Sequence, residues 1–111
     1  MKNDDSCTTL DELKNEVRKF CEERNWDPYH GPKDLAIGLV TEASELLEIF
    51  RFVPENELSE LMEDPDERQK ISDELADSLY FILRFAQLYK FDLSKAMKEK
   101  SIKNAIKYPR S

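Results

Sequence analysis

The sequence predicts an all-α fold, a single helical bundle of four main helices. Composition is the first reason: of 111 residues only two are glycine, 40% are apolar and 37% are charged, which suits one compact, predominantly helical domain rather than several. Periodicity is the second, because four segments repeat apolar residues at helical spacing. Punctuation is the third, since capping residues, prolines or glycine bracket those segments. The domain is taken as 1–111 with its core at about 9–109. A core this small for its length gains from burying more apolar area between subunits, so a homo-oligomer, dimer or tetramer, is expected.

The first helix starts at Thr9-Leu-Asp-Glu12, which has capping-box form, and Leu10, Leu13, Val17 and Phe20 mark its buried face to about Arg24. NWDPYHGP, residues 25–32, then breaks the pattern with two prolines and a glycine. This loop also carries Trp26, Tyr29 and the chain's one histidine, His30. These rings either stack on a planar ligand or anchor the loop to the core. Helix two is expected from Pro32 or Lys33 to Phe52, burying Ala36, Leu39, Ala43, Leu46 or Leu47, and Phe50. Residues 53–63 contain Pro54 and a weak pattern in Leu58, Leu61 and Met62, which fits a connector with one short helix. Asp64-Pro65-Asp66-Glu67 joins a capping carboxylate, a proline at the first helical position and acids at the positive dipole end, so helix three spans about 65–89. Asp92 caps the fourth helix, which ends near Lys107, before Pro109.

A formal charge of −7 argues against a protein that tracks nucleic-acid phosphates, which needs a cationic face. Lys95, Lys98, Lys100, Lys103 and Lys107 do cluster late and could hold a small anion. An acidic protein handling an anionic substrate needs metal ions to bridge the two. Cys7 and Cys21 are too few for a disulfide scaffold and read as reduced thiols of a cytoplasmic protein. The amino terminus MKNDDSCTTL has no apolar signal core, and no run reaches membrane-spanning length.

On helix two, Leu35, Gly38, Glu42, Glu45, Ile49 and Phe52 form a stripe bordering the main apolar face. Glu42 and Glu45 therefore sit between apolar neighbours, where an unpaired charge is costly. On helix three, Glu74 and Asp77 share a stripe with Phe81, Arg84 and Leu88, beside an expected core face of Leu75, Leu79, Ile82 and Ala86. If the two helices pack, four carboxylates converge, and they cannot share a dry space without cations. Hard divalent ions with oxygen ligands answer that need: Mg²⁺, with Mn²⁺ as the alternative. A di-iron bundle would need Glu-x-x-His pairs, for which one histidine does not suffice. A chain this acidic holds about five acidic i, i+3 pairs by chance, so the weight rests on two pairs that both border apolar faces. On helix four, Leu93, Met97, Lys100, Asn104 and Tyr108 turn an apolar face into a cation, an amide and a phenol that can donate to phosphate oxygens.

E-x-x-E on one helix, E-x-x-D on the next and K-x-x-x-N-x-x-x-Y-P near the end resemble the MazG-like all-α nucleoside triphosphate pyrophosphohydrolases. The likeness extends to the dCTP pyrophosphatase branch, with its similar W-x-x-x-H-x-P-[RK] wording, and spans about residues 9–109. It implies a MazG-like bundle and Mg²⁺-dependent hydrolysis of a (deoxy)nucleoside triphosphate, dCTP or a modified pyrimidine favoured, to the monophosphate and pyrophosphate. It further implies Glu42, Glu45, Glu74 and Asp77 as metal ligands, with Glu42 or Glu45 as catalytic base. Lys100, Asn104 and Tyr108 would hold phosphates, while Trp26, His30 and Phe81 would line the base pocket. Three positions depart from the pattern. Thr41 stands where the wider family often has a further glutamate, Lys33-Asp34 replaces Arg-Asn, and Phe52 replaces a tryptophan, keeping a ring that can stack on a base without the indole N–H. The competing possibilities are a non-catalytic helical interaction module, and the same fold acting on dUTP or phosphoribosyl-ATP.

Overall fold

The computed structural model describes residues 3–110. These residues form five α-helices: α1 (Leu10–Glu23), α2 (Pro32–Phe50), α3 (Leu58–Glu63), α4 (Pro65–Tyr89) and α5 (Leu93–Lys107). Short 3₁₀ turns occupy Asp27–Tyr29 and Glu55–Glu57, and no strand is present among the described residues. The four expected long helices are all there, and α3 is the short connector helix.

Local chemistry sets the boundaries. Thr9 Oγ1 accepts the Glu12 N–H at 3.1 Å, and Glu12 Oε1 takes a bond from the Thr9 hydroxyl at 3.2 Å instead of reaching back to the Thr9 N–H, so the capping box is half realised. Gly31 precedes Pro32 at the start of α2, and its N–H donates to Asp34 Oδ2 at 3.3 Å. The helix stops at Phe50, two residues before the expected end at Phe52. Pro54 explains the early stop, because it has no N–H to give the Phe50 carbonyl, which the Val53 N–H takes instead at 3.0 Å. Asp64 and Asp92 cap α4 and α5 as expected, accepting from Asp66 N–H at 3.4 Å and Lys95 N–H at 2.9 Å.

Helix α4 is the spine: α2, α1 and α3 all pack against it, α2 most extensively. Val17 and Cys21 of α1 pack with Leu83 of α4, and Leu10, Leu13, Tyr80 and Leu93 close around them. Leu35, Ile71 and Ala86 are the other buried apolar side chains. Two expected faces are corrected here. Of the α2 stripe, Leu39, Leu46 and Phe50 are partly withdrawn from water, but Ala36, Ala43 and Leu47 are exposed; of the α4 face only Ala86 is buried, with Leu75, Leu79 and Ile82 exposed. The two helices instead meet through the mixed stripes that carry Leu35, Gly38 and Glu42 on one side and Ile71, Glu74 and Phe81 on the other.

Gly38 explains that choice. A Cβ at this position would stand 2.6 Å from Phe81 Cζ, so the ring of Phe81 lies directly on the α2 backbone. Only glycine allows that approach. The outward apolar residues, together with Met97, Ile102 and Ile106 on α5, are left without cover in one chain.

Overpacking in Gly38→Ala costs about 1–3 kcal/mol and alanine in a helix interior returns about 1 kcal/mol, so a net loss of up to about 2 kcal/mol is expected. Thermal or urea unfolding measures the loss, and adding Phe81→Leu should recover most of it.

Candidate functional site

The contact between α2 and α4 brings carboxylates together. Glu42 and Glu45, one turn apart on α2, and Glu74 on α4 each place a carboxylate oxygen within 4.8 Å of the other two. Asp77 is exposed and stands outside this trio, although its charge still acts on Glu42 and Glu74. Three of the four expected carboxylates thus meet directly, and the fourth lies at the edge.

The trio is electrostatically uncompensated. Ion pairs among the described residues join Arg18 to Glu22, Arg24 to Glu23, Arg51 to Glu48, Lys70 to Glu67 and Arg84 to Asp27, and none involves Glu42, Glu45, Glu74 or Asp77. Glu42 Oε2 and Glu74 Oε2 are buried with no hydrogen-bond partner, as is the Ser78 hydroxyl one turn beyond Glu74. Burial first, and the adjacent Glu45 carboxylate second, push the Glu42 carboxyl up to about 7, with Glu74 and Asp77 adding to the effect. Burial and Glu45 likewise hold Glu74 above the usual carboxylate range. Orphaned hard oxygens on like-charged groups fit a divalent cation with oxygen ligands. Thr41, at the family's extra glutamate position, contributes nothing to this set: its hydroxyl turns back to the Ile37 carbonyl at 2.9 Å.

The aromatic residues form a connected series. Phe81, seated on Gly38, forms part of an apolar groove of about 310 Å³ with Leu35, Leu39, Phe85 and Phe91 among its walls. Edge-to-face contacts then link Phe81 to Tyr80 at 6.1 Å, Tyr80 to Phe20 at 6.0 Å, Phe20 to Trp26 at 5.5 Å and Trp26 to His30 at 6.0 Å. Trp26 and His30 are therefore neighbours, and Phe81 joins them through two intervening rings. Phe52 is 81% exposed just past α2, with the Arg51 guanidinium 4.9 Å over its ring. Lys100, Asn104 and Tyr108 are exposed along α5, and no hydrogen bond or ion pair among the described residues ties their side chains to the carboxylates.

Helical spacing gives Arg84 no site role, yet it is buried and bonds to the imidazole of His30. Its signal was an arginine inside the apolar run LYFILRFAQL, residues 79–88. A guanidinium in such a run must find partners on another element. Asp27 and Ser78 carry no such signal, being short polar side chains whose importance depends on what the fold places opposite them.

The raised Glu42 carboxyl sets a pH dependence. Its protonated form is favoured by folding, so this contribution to metal-free stability is complete below the ordinary value of 4.5 and is lost as pH rises through about 7. Melting temperature in a chelator should therefore fall between about pH 5 and about pH 8, and saturating Mg²⁺ should flatten the fall because the cation replaces the proton. Glu42→Gln should flatten it without metal.

No protein-family model matches the chain. Bovine dCTP pyrophosphatase 1 is 33% identical over 101 residues, covering 91% of this chain and 60% of that protein. The human dCTP pyrophosphatase 1 is 32% identical over 101 residues, covering 91% of this chain and 59% of its own. The chain thus spans about three-fifths of the length of these curated relatives. The crystal structure of a pyrophosphatase from Archaeoglobus fulgidus DSM 4304 superposes with a TM-score of 0.84 at 34% identity, covering 91% of this chain and 93% of that one. With that identity held over nearly the full length of both chains, the protein belongs to the all-α pyrophosphatase family, the MazG-like group that its motifs resemble.

Proposed function

We propose that the protein is a divalent-cation-dependent pyrophosphohydrolase that converts a nucleoside triphosphate to the monophosphate and pyrophosphate, with dCTP or a modified pyrimidine deoxynucleotide as the favoured substrate. The observation that carries this is the convergence of Glu42, Glu45 and Glu74 with two buried oxygens lacking any partner. The names of the curated relatives support the choice of nucleotide.

Glu42, Glu45 and Glu74 would hold Mg²⁺ or Mn²⁺, with Asp77 joining from the edge. Bound there, the cation supplies Lewis acidity toward water and neutralises charge on the phosphates. Glu42 or Glu45 orients the attacking water and accepts its proton. Trp26, His30, Phe52 and Phe81 present rings to the base. Lys100, Asn104 and Tyr108 donate to phosphate oxygens, which suits a net-negative protein because they stand on its lysine-rich helix. Their exposure in a single chain, with that of Val40, Leu47, Met97 and Ile106, supports a homo-oligomer, dimer or tetramer, in which further copies cover these faces. Neither nucleic acid nor a membrane is a partner in this proposal, and the free thiols Cys7 and Cys21 accord with a cytoplasmic location.

Pyrophosphate release, assayed with a coupled inorganic pyrophosphatase over the common ribo- and deoxynucleotides and 5-substituted dCTPs, should require Mg²⁺ or Mn²⁺ and be strongest with a cytosine deoxynucleotide. Glu74→Ala should reduce release to background with helical content retained, and Glu45→Gln should cost about a hundredfold or more in kcat if it is the base. Folded protein that releases pyrophosphate from no nucleotide, and whose melting temperature ignores Mg²⁺, would instead fit a non-catalytic interaction module. Stronger turnover of dUTP or phosphoribosyl-ATP would move the substrate within the same fold.

A further inference from the structure

Arg84 is 1% exposed in the middle of α4, and every arm of its guanidinium is committed. Its Nε–H donates to His30 Nδ1 at 2.9 Å, its Nη1 donates to Gln87 Oε1 at 2.7 Å, and its Nη2 pairs with Asp27. A guanidinium has donors only, so the ring nitrogen that accepts from it carries no proton. Neutral His30 must then hold its hydrogen on Nε2. The surroundings fix the ring in place as well: the Tyr89 hydroxyl donates to the His30 carbonyl at 3.0 Å, and the indole of Trp26 stands edge-on to the imidazole.

The groups facing His30 are Arg84 and Tyr89 from α4, Asp27 from its own loop and Asp34 from the start of α2. Burial and the Arg84 charge hold the imidazole below its ordinary range, and the weaker opposing pull of Asp27 and Asp34 does not reverse this. An Arg84–Asp27 ion pair alone would tether the 27–29 turn to α4. It would not require the third arm of the guanidinium to end on an imidazole nitrogen.

We propose that Arg84 is a positioning residue that locks His30 as its Nε2–H tautomer, so that the loop presents the nucleotide with a hydrogen-bond donor that cannot become an acceptor. The assignment of the recipient rests on the placement of His30 in the base pocket proposed above. Such a donor fits an acceptor on the nucleotide: a base carbonyl, an unprotonated ring nitrogen or a sugar oxygen. It rejects an N–H at the same point, because neither partner could then accept.

His30 is the only histidine in the chain, so its ring-nitrogen chemical shifts can be assigned without ambiguity. In the isotope-labelled full chain, free of metal and nucleotide and near neutral pH, Nδ1 should appear unprotonated and Nε2 protonated. A protonated Nδ1, or rapid averaging of the two tautomers, overturns the proposal. Arg84→Met should release the tautomers to average and raise KM for dCTP about tenfold, the worth of one hydrogen bond, with kcat within about twofold. Arg84→Lys, which keeps a cationic donor beneath Nδ1, should recover part of both effects and remains a test if the methionine variant does not fold. Retention of the Nε2–H form and of the wild-type KM in a folded Arg84→Met protein also overturns the proposal. Addition of dCTP with Mg²⁺ should shift the Nε2 signal. A locked tautomer whose Nε2 shift ignores dCTP leaves the positioning by Arg84 standing and removes the base-pocket role of His30.

Discussion

Mutual repulsion among three carboxylates in the seam between α2 and α4 is the constraint on which the rest of the structure depends. Glu42, Glu45 and Glu74 stand close enough to share one ligand, yet no lysine or arginine among the described residues neutralises them. Without a cation, the protein relieves the repulsion by protonation, which is why burial and Glu45 drive Glu42 up to about 7. With a divalent cation, the same oxygens become an asset. The seam is thus unfavourable as protein alone, the reverse of what packing stability would select, and it suits the cation-binding role proposed for it.

The remaining architecture can be understood as supporting this seam. The α2–α4 contact runs through Gly38, where the missing side chain lets Phe81 lie against the backbone one turn before Glu42. Turning these mixed faces inward turns more apolar faces outward, leaving Val40, Leu47, Leu75 and the α5 residues Met97 and Ile106 exposed. A monomer would bury those residues before it buried glutamates, because apolar burial is favourable at roughly 25 cal/mol per Å² and an unpaired buried charge is costly. Further along α4, Arg84 draws Asp27 and His30 onto the same helix, so one spine carries the carboxylate site and braces the aromatic loop.

Much of this was legible in the sequence. Capping signals at Thr9, Asp64 and Asp92 located three helix starts, because a cap is a local interaction among residues a few positions apart. Glu42, Glu45 and Glu74 could be named because their spacing puts them beside apolar stripes. What could not be read was which stripe turns inward. Helical periodicity favoured Leu75, Leu79 and Ile82 as the core of α4, but the choice was made by a glycine on another helix, and a long-range contact leaves no periodic trace. The extension of α2 to Phe52 failed for a local reason, the proline two residues later. Arg84 shows the same limit from the other side, since its partners His30 and Gln87 lie 54 and three positions away. A buried arginine signals that partners exist without saying which.

Proton release on cation binding tests the central claim most directly. Titration calorimetry of Mg²⁺ or Mn²⁺ into the metal-free protein near pH 7, in two buffers of different ionisation enthalpy, gives the protons displaced per cation bound. Carboxylates that share a proton until a cation arrives should release a substantial fraction of one proton at that pH, and Glu42→Gln should reduce it. Binding with no buffer dependence, or no binding at all to folded protein, would contradict the carboxylate seam as a cation site.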